Sequence, residues 1–151
     1  PVASPQTVVI VTDDRKVRAL ATRALSPIGS WPMPGLISTL PPPSGGSFLV
    51  PDESGNVLAI GADGTRRWAI DLGSRVVGDP LVVERTAWFL TLDGVLHGRD
   101  LVTGKEQSRS ELHILPSEGP IQSPNADELV IPVARGTLRT IQIPKQGETN
   151  P

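Results

Sequence analysis

The stretch at residues 78–109 limits the fold more than any other part of the sequence, because short apolar runs alternate with turn residues throughout it. The apolar runs cover residues 81–83, 87–91 and 95–100, and a polar run follows the Thr103-Gly104 turn. Asp93-Gly94 stands between two of these runs and predicts a hairpin turn in which both central residues have positive φ. Four short antiparallel strands in about 40 residues is the size of one propeller blade.

The same pattern recurs along the chain about every 40 residues, close to the period of WD40-like blades. The first apolar position after each central turn recurs after 40, 38 and 42 residues, at Val17, Val57, Val95 and, less cleanly, Thr137. Prolines at the unit entries recur after 38 and 40 residues, at Pro42, Pro80 and Pro120. A β-sandwich also has short strands, but it has no reason to recur in phase. We therefore predict an all-β fold, a β-propeller of about four 40-residue blades that is a partial propeller or part of a larger ring.

The predicted units cover residues 1–35, 36–77, 78–118 and 119–143 of a single domain, and a polar tail follows at 144–151. Residues 36–40 are predicted to form the first strand of the second unit, and the chain is expected to hold about fifteen strands. The fourth unit offers no sequence for a fourth strand. Because the chain starts at Pro1 rather than at methionine, we expect a processed or excised segment.

Composition excludes several classes of function. The net charge is −2 with acidic and basic residues interspersed, so no surface for nucleic acid or anionic lipid is indicated. The chain has no cysteine, which excludes disulfides, thiolate catalysis and cysteine-based zinc sites. No run approaches the roughly 18 apolar residues of a membrane-spanning helix, so this segment is not expected to insert into a membrane.

Residues 98–105, Gly-Arg-Asp-Leu-Val-Thr-Gly-Lys, carry a resemblance to a known family. They resemble the Ala-x-Asp-x-x-Thr-Gly-Lys-x-x-Trp motif by which the blades of PQQ-like, quinoprotein-type β-propellers dock onto one another. Four positions match the motif: Asp100, Thr103, Gly104 and Lys105. Gly98 stands in place of its alanine and Ser108 in place of its tryptophan.

Degenerate copies of the motif stand in other units. The second unit keeps three of its residues, with one position deleted: Ala59, Gly64 and Trp68. Gly61 stands there where the motif has its aspartate. The first unit keeps only Ala19 and Trp31, with two residues inserted between them. The resemblance implies structural roles, in which the tryptophan lies against the neighbouring blade, the small alanine leaves room for its ring and the glycine makes the turn.

No group of residues in the sequence predicts catalysis or ligand binding. His97 and His113 are the only histidines, and neither has a serine, cysteine or carboxylate at the spacing of a catalytic triad or a metal site. The acidic pairs at 13–14 and 52–53 lie at predicted turns, where aspartate is favoured for local hydrogen bonding. We therefore expect no catalytic, cofactor-binding or metal-binding residue.

The resemblance leaves three functions open. Catalytic quinoproteins hold a quinone cofactor and calcium in a ring of about twice as many blades, so a fragment of a PQQ-dependent dehydrogenase is one alternative. An extracytoplasmic sensor domain of a membrane protein is another. The favoured interpretation is the non-catalytic branch of the family, such as the propeller lipoprotein of outer-membrane barrel assembly. It implies a scaffold rather than an enzyme, periplasmic or extracellular in the bacterial cell envelope, that binds protein partners. We expect the remainder of the propeller or, next, a second copy to complete it, with a compact four-bladed ring as the other alternative.

Overall fold

The described residues fold into short antiparallel strands joined by turns and links, as predicted. A computed structural model describes residues 1–124 and 127–144, so residues 145–151 of the predicted tail lie outside the described part. The described residues form fourteen strands: β1 Val2–Ala3, β2 Thr7–Thr12, β3 Lys16–Ala21, β4 Pro27–Pro32, β5 Ser47–Pro51, β6 Asn56–Gly61, β7 Arg66–Asp71, β8 Leu81–Val83, β9 Thr86–Leu90, β10 Val95–Asp100, β11 Glu106–Glu111, β12 Ile121–Gln122, β13 Glu128–Val133 and β14 Thr137–Gln142.

The strands form four separate sheets in which neighbours along the chain are also neighbours in space. Sheet 1 has the order β1-β2-β3-β4, and sheet 2 has the order β5-β6-β7. Sheet 3 runs β8-β9-β10-β11, and sheet 4 runs β12-β13-β14. Each sheet is therefore a meander of three or four strands, the topology expected of a propeller blade.

Each sheet packs its two faces differently, because side chains alternate along a strand. We call the side toward the preceding sheet the leading face and the side toward the following sheet the trailing face. Three hydrophobic clusters join sheet 1 to sheet 2, sheet 2 to sheet 3, and sheet 3 to sheet 4. None of these clusters joins sheet 4 back to sheet 1, so the described sheets form an open row.

Residues 36–40 do not form the predicted first strand of the second unit. They belong to a strandless link, in which Ile37 and Leu40 turn their side chains onto the core between sheets 1 and 2. The prediction was wrong because the apolar residues of this segment serve that core from a loop. Pro41, Pro42 and Pro43 follow directly, and prolines have no N–H to donate to a ladder.

The Asp93-Gly94 turn joins β9 and β10 as predicted, but its backbone differs from the predicted form. Gly94 has φ of 79°, whereas Asp93 is not among the residues with positive φ. Gly94 N–H donates to the Thr91 carbonyl oxygen at 2.8 Å, and Thr91 N–H donates to that of Val95. The loop therefore has three residues, with its glycine at the left-handed position that closes a bulged hairpin.

Candidate protein-interaction surfaces

Trp68 on β7 makes the main contact between sheets 2 and 3. Its ring is buried and meets that of Phe89 edge-on, with 6.5 Å between centroids and 84° between planes. Its indole Nε1–H donates to the Leu101 carbonyl oxygen at 3.0 Å. Ala59 pairs directly with Trp68 across the strands and is fully buried in the same cluster. A large aromatic thus lies between a small residue of its own sheet and a turn of the next.

That turn, at residues 100–104, is held together by the Asp100 carboxylate. Asp100 Oδ1 accepts hydrogen bonds from Val102 N–H at 2.9 Å and from Thr103 N–H at 2.8 Å. These bonds, that of the Thr103 backbone first, lower the pKa of Asp100. Gly104 has φ of 75°, and a Cβ there would lie 2.9 Å from the Trp68 ring. Lys105 follows on the exposed side of the turn.

Sheet 2 meets sheet 1 through an equivalent turn. Gly64 has φ of 84°, and a Cβ there would lie 2.6 Å from Ile28 Cδ1 on β4. In this turn Asp63 has the role that Asp100 has in sheet 3, because its Oδ1 accepts hydrogen bonds from both the N–H and the hydroxyl of Thr65. Thr7 of sheet 1 also donates its hydroxyl to the Ala62 carbonyl oxygen at 2.7 Å.

The other two tryptophans lie at different positions. In sheet 1, Gly29 pairs with Ala19, the position that Trp68 takes opposite Ala59. Trp31 pairs with Val17 instead, and its ring folds back over Gly29, where a Cβ would lie 2.4 Å from the indole.

In sheet 3 the corresponding position holds Ser108, which pairs with Gly98. Trp88 on β9 covers Gly98 from the opposite strand, and a Cβ on Gly98 would lie 2.9 Å from its ring. Sheets 2 and 3 therefore each place one indole over a small residue of an inner strand, whereas in sheet 1 the indole of Trp31 lies over Gly29 of its own outer strand.

His97 is a buried side chain of β10. Its Nε2 lies 3.3 Å from Thr91 Oγ1, and its Nδ1 has no hydrogen-bond partner among the described residues. Burial lowers the pKa of His97, and the charges of Arg109 and Arg99 lower it further. His113 is exposed in the link after β11. In the described part of the chain, no three His, Cys, Asp or Glu side chains come together to hold a metal ion.

A groove of about 310 Å³ opens between β4 of sheet 1 and β7 of sheet 2, and we call it the Trp31 groove. It is lined by Trp31, Pro32, Met33, Pro34, Asn56, Val57, Leu58, Arg66, Ala69, Ile70 and Asp71. Its walls are mainly apolar, and Arg66 and Asp71 stand at the two ends of β7. β7 is also the outermost described strand of sheet 2. An apolar groove thus lies beside a strand edge.

The leading face of sheet 1 carries apolar residues although no described sheet covers it. In sheet 2 both equivalent cross-strand pairs are apolar, whereas in sheet 4 one pair is apolar and the other joins Ile131 to Arg139; the apolar members of these pairs belong to the clusters between sheets. Sheet 1 has Val8 opposite Leu20 at these positions, and Ile10 opposite Arg18. All four side chains are only half-buried.

The trailing face of sheet 4 is uncovered in the same way. Val130 and Pro132 lie on it, opposite Thr140 and Leu138 of β14. The equivalent positions of sheet 1 include Val9, Val17 and Ala19, which are fully buried against sheet 2. Leu138 is 70% exposed.

The fold is shared with solved propeller-like structures. BamB from Moraxella catarrhalis superposes with a TM-score of 0.72 and 20% identity, over 94% of this chain and 45% of BamB. The computationally designed Ika4 protein gives 0.72 and 12% identity, over 95% of this chain and 89% of Ika4. The designed Ika8 protein gives 0.71 and 12%, over 93% and 44%. This chain thus spans about half the length of BamB, and identities this low show a common fold alone.

Comparison of sequences adds no family. No family model and no curated protein matches the chain. None of the described segments is a helix long and apolar enough to cross a membrane. The all-β, propeller-like architecture therefore rests on the structure and its likeness to solved folds.

Proposed function

We propose that this chain is a non-catalytic propeller scaffold that binds an extended segment of a protein partner at the Trp31 groove. The observation that carries the proposal is the position of this apolar groove beside the edge of β7. A partner segment can add to a sheet edge through its backbone and place alternate side chains in adjacent pockets. Trp31 and Met33 supply apolar walls for such side chains.

The charges of the groove suggest the chemistry of the partner segment. Arg66 and Asp71 lie at opposite ends of β7, roughly 17 Å apart for a strand of this length. A segment with an acidic residue near Arg66, a basic residue near Asp71 and apolar residues between them would match both ends. Opposite charges at the rim set the register and the choice of partner more than the affinity.

The proposal also includes where the chain is located in the cell and that it is not an enzyme. The fold likeness to BamB and the motif shared with quinoprotein-type blades favour a periplasmic or extracellular site. The buried setting of His97 supports a structural role for that residue. An absorbance scan and a melting curve with and without calcium test this point. A bound quinone band or calcium-dependent stability would contradict it.

Site-specific photo-crosslinking in the source cells tests the groove. A photoreactive residue in place of Ala69, an exposed groove residue, is expected to trap a distinct protein. The same residue in place of Val102, exposed on the turn of sheet 3, is the control and is expected not to trap it. Ala69→Arg should abolish capture of that protein by the purified chain. Equal trapping from both positions would refute the groove as the binding site.

A further inference from the structure

We propose that a second copy of this chain covers the uncovered end faces, so that sheet 4 of each copy packs on sheet 1 of the other. The two end faces are the leading face of sheet 1 and the trailing face of sheet 4. Both carry apolar residues at positions that are buried in the clusters between consecutive sheets. This assembly does not depend on partner binding, because the Trp31 groove lies between sheets 1 and 2.

Positional equivalence predicts an ion pair across the new contact. Thr7 begins β2 and donates its hydroxyl to the carbonyl oxygen of Ala62, in the turn after β6. Glu128 is the residue of sheet 4 equivalent to Thr7, and Thr22 is the residue of sheet 1 equivalent to Ala62. Arg23 follows Thr22, so the contact between copies would bring Glu128 close to Arg23. The only described partner of the Glu128 carboxylate is Gln142 of its own sheet.

The turn after β3 in sheet 1 suits contact with a sheet that has no strand beyond its third. Gly64 and Gly104 occupy the corresponding turn position in sheets 2 and 3 and contact the outer strand of the preceding sheet. Sheet 1 has Leu25 there, with φ of 51° and 62% of its surface exposed. In the described residues, sheet 4 has no strand beyond β14. The Leu25 side chain would therefore fill the space that an outer strand takes at the other contacts.

Charged residues on the leading face of sheet 1 are compatible with this packing. Arg139 of sheet 4 occupies the position equivalent to Arg18, and it donates to the Leu112 carbonyl oxygen of sheet 3 at 2.6 Å. An arginine at this position can thus lie within a contact between sheets. Lys16 and Arg18 are also paired with Asp14 of their own sheet, whose pKa is lowered to about 2 by hydrogen bonds from Thr12 and Lys16.

The length of the chain is consistent with two copies forming one closed ring. One copy covers 45% of BamB and 44% of Ika8 at nearly the same TM-score, so two copies would match the length of either chain. A two-fold arrangement would use both end faces of each copy and leave neither exposed.

Sedimentation equilibrium on the 151-residue chain tests the proposal. We expect a mass twice the 16.0 kDa of one chain at micromolar concentration. Leu138→Arg should give a folded monomer, since it places a charge at the centre of the contact. Leu92→Arg is the control, because Leu92 is 49% exposed in the turn between β9 and β10, away from both end faces. It should remain a dimer.

Charge reversal tests the register of the contact. Arg23→Glu should weaken dimerisation at least tenfold, and adding Glu128→Arg should restore it to within about threefold of the original. The proposal is overturned if the original chain is monomeric at 100 µM, because its end faces would then be covered by other blades. An open polymer, a Leu138→Arg variant that dimerises as tightly as the original, or a double charge reversal without recovery also overturns it.

Discussion

Trp68 contributes both apolar contact and a hydrogen bond to the packing of sheet 2 against sheet 3. Trp68→Ala is expected to lower the free energy of unfolding by about 3–5 kcal/mol, as for other buried aromatic side chains. Trp68→Phe keeps most of the ring but leaves the Leu101 carbonyl oxygen without its donor, which costs about 1–3 kcal/mol. Urea denaturation measures both changes.

Trp88 provides the matched control for the hydrogen bond. It is equally buried, but its Nε1–H has no partner among the described residues. Trp88→Phe should therefore destabilise the chain less than Trp68→Phe. If the two substitutions cost the same, the bond to Leu101 contributes nothing measurable.

His97 should make stability depend on pH. Because its folded pKa lies below its usual value of 6.5, folding favours the neutral ring. Its contribution is complete above pH 6.5, and it is lost as the pH falls from there toward the folded pKa, by at most about 1.4 kcal/mol per pH unit. Urea denaturation at pH 7.5 and 5.5 measures this loss.

Two substitutions isolate the effect of His97. His97→Gln should remove much of the loss between the two pH values, even if its stability is lower at both. His113→Asn replaces the exposed histidine and should leave the loss unchanged, since asparagine tolerates its left-handed backbone at φ of 52°. A His97→Gln variant as sensitive to pH as the original chain would assign the titration to other groups.

At the scale of the element, substitution of Gly104 tests the packing of the turn at residues 100–104, and Gly73, a glycine of similar backbone conformation outside this turn, is the control. Gly104 and Gly73 have φ of 75° and 79°, but a Cβ on Gly73 would meet no atom within 4 Å. Gly73→Ala should cost only the left-handed strain, about 1–2 kcal/mol. Gly104→Ala should cost a further 1–3 kcal/mol or so, because Trp68 must move. Equal losses would mean that the ring moves aside without cost.

The strands themselves were predictable where apolar runs are bounded by turn residues. Residues 129–133 and 95–100 match β13 and β10 closely because each strand covers such a run. β1 was not predicted, since two residues carry no alternation. The prediction of a strand at residues 36–40 was wrong because apolar content alone does not distinguish a strand from a loop that packs on the core.

The packing of the tryptophans was harder to predict. Spacing in the sequence does not specify the register in which β4 pairs with β3, and this register places Gly29, not Trp31, opposite Ala19. Trp88 was expected to pack in the core or between blades, but its position did not specify which face it occupies, because it stands on β9 and reaches Gly98 from a strand that the motif does not include. Gly98 and Ser108, both small, were the available hint that a ring from elsewhere fills this space.

At the scale of the molecule, the four sheets should differ in protection from hydrogen exchange. Both faces of sheets 2 and 3 are covered by neighbours, whereas one face of sheet 1 and one face of sheet 4 are not covered by any described sheet of the same chain. In repeat architectures each unit is stabilised by its nearest neighbours, so the end units open first. Amides of β6 and β10 should therefore exchange most slowly.

A monomeric variant and a change in protein concentration extend this test. In the Leu138→Arg variant, β3 and β14 should exchange much faster than β6 and β10. In the original chain, raising the concentration should slow exchange in β3 and β14 and change β6 and β10 little. Uniform exchange over all four sheets in the variant would mean that the chain opens as one unit.

Because the leading face of sheet 1 and the trailing face of sheet 4 are different surfaces, the row of sheets has a direction. Units that join head to tail stop growing only if the turn per unit brings the last face back to the first; otherwise they elongate into fibres. The angle between sheets is set by side chains such as Trp68 and Trp88. Substitutions at these buried positions could therefore convert a finite assembly into an endless one without altering either of the surfaces that meet.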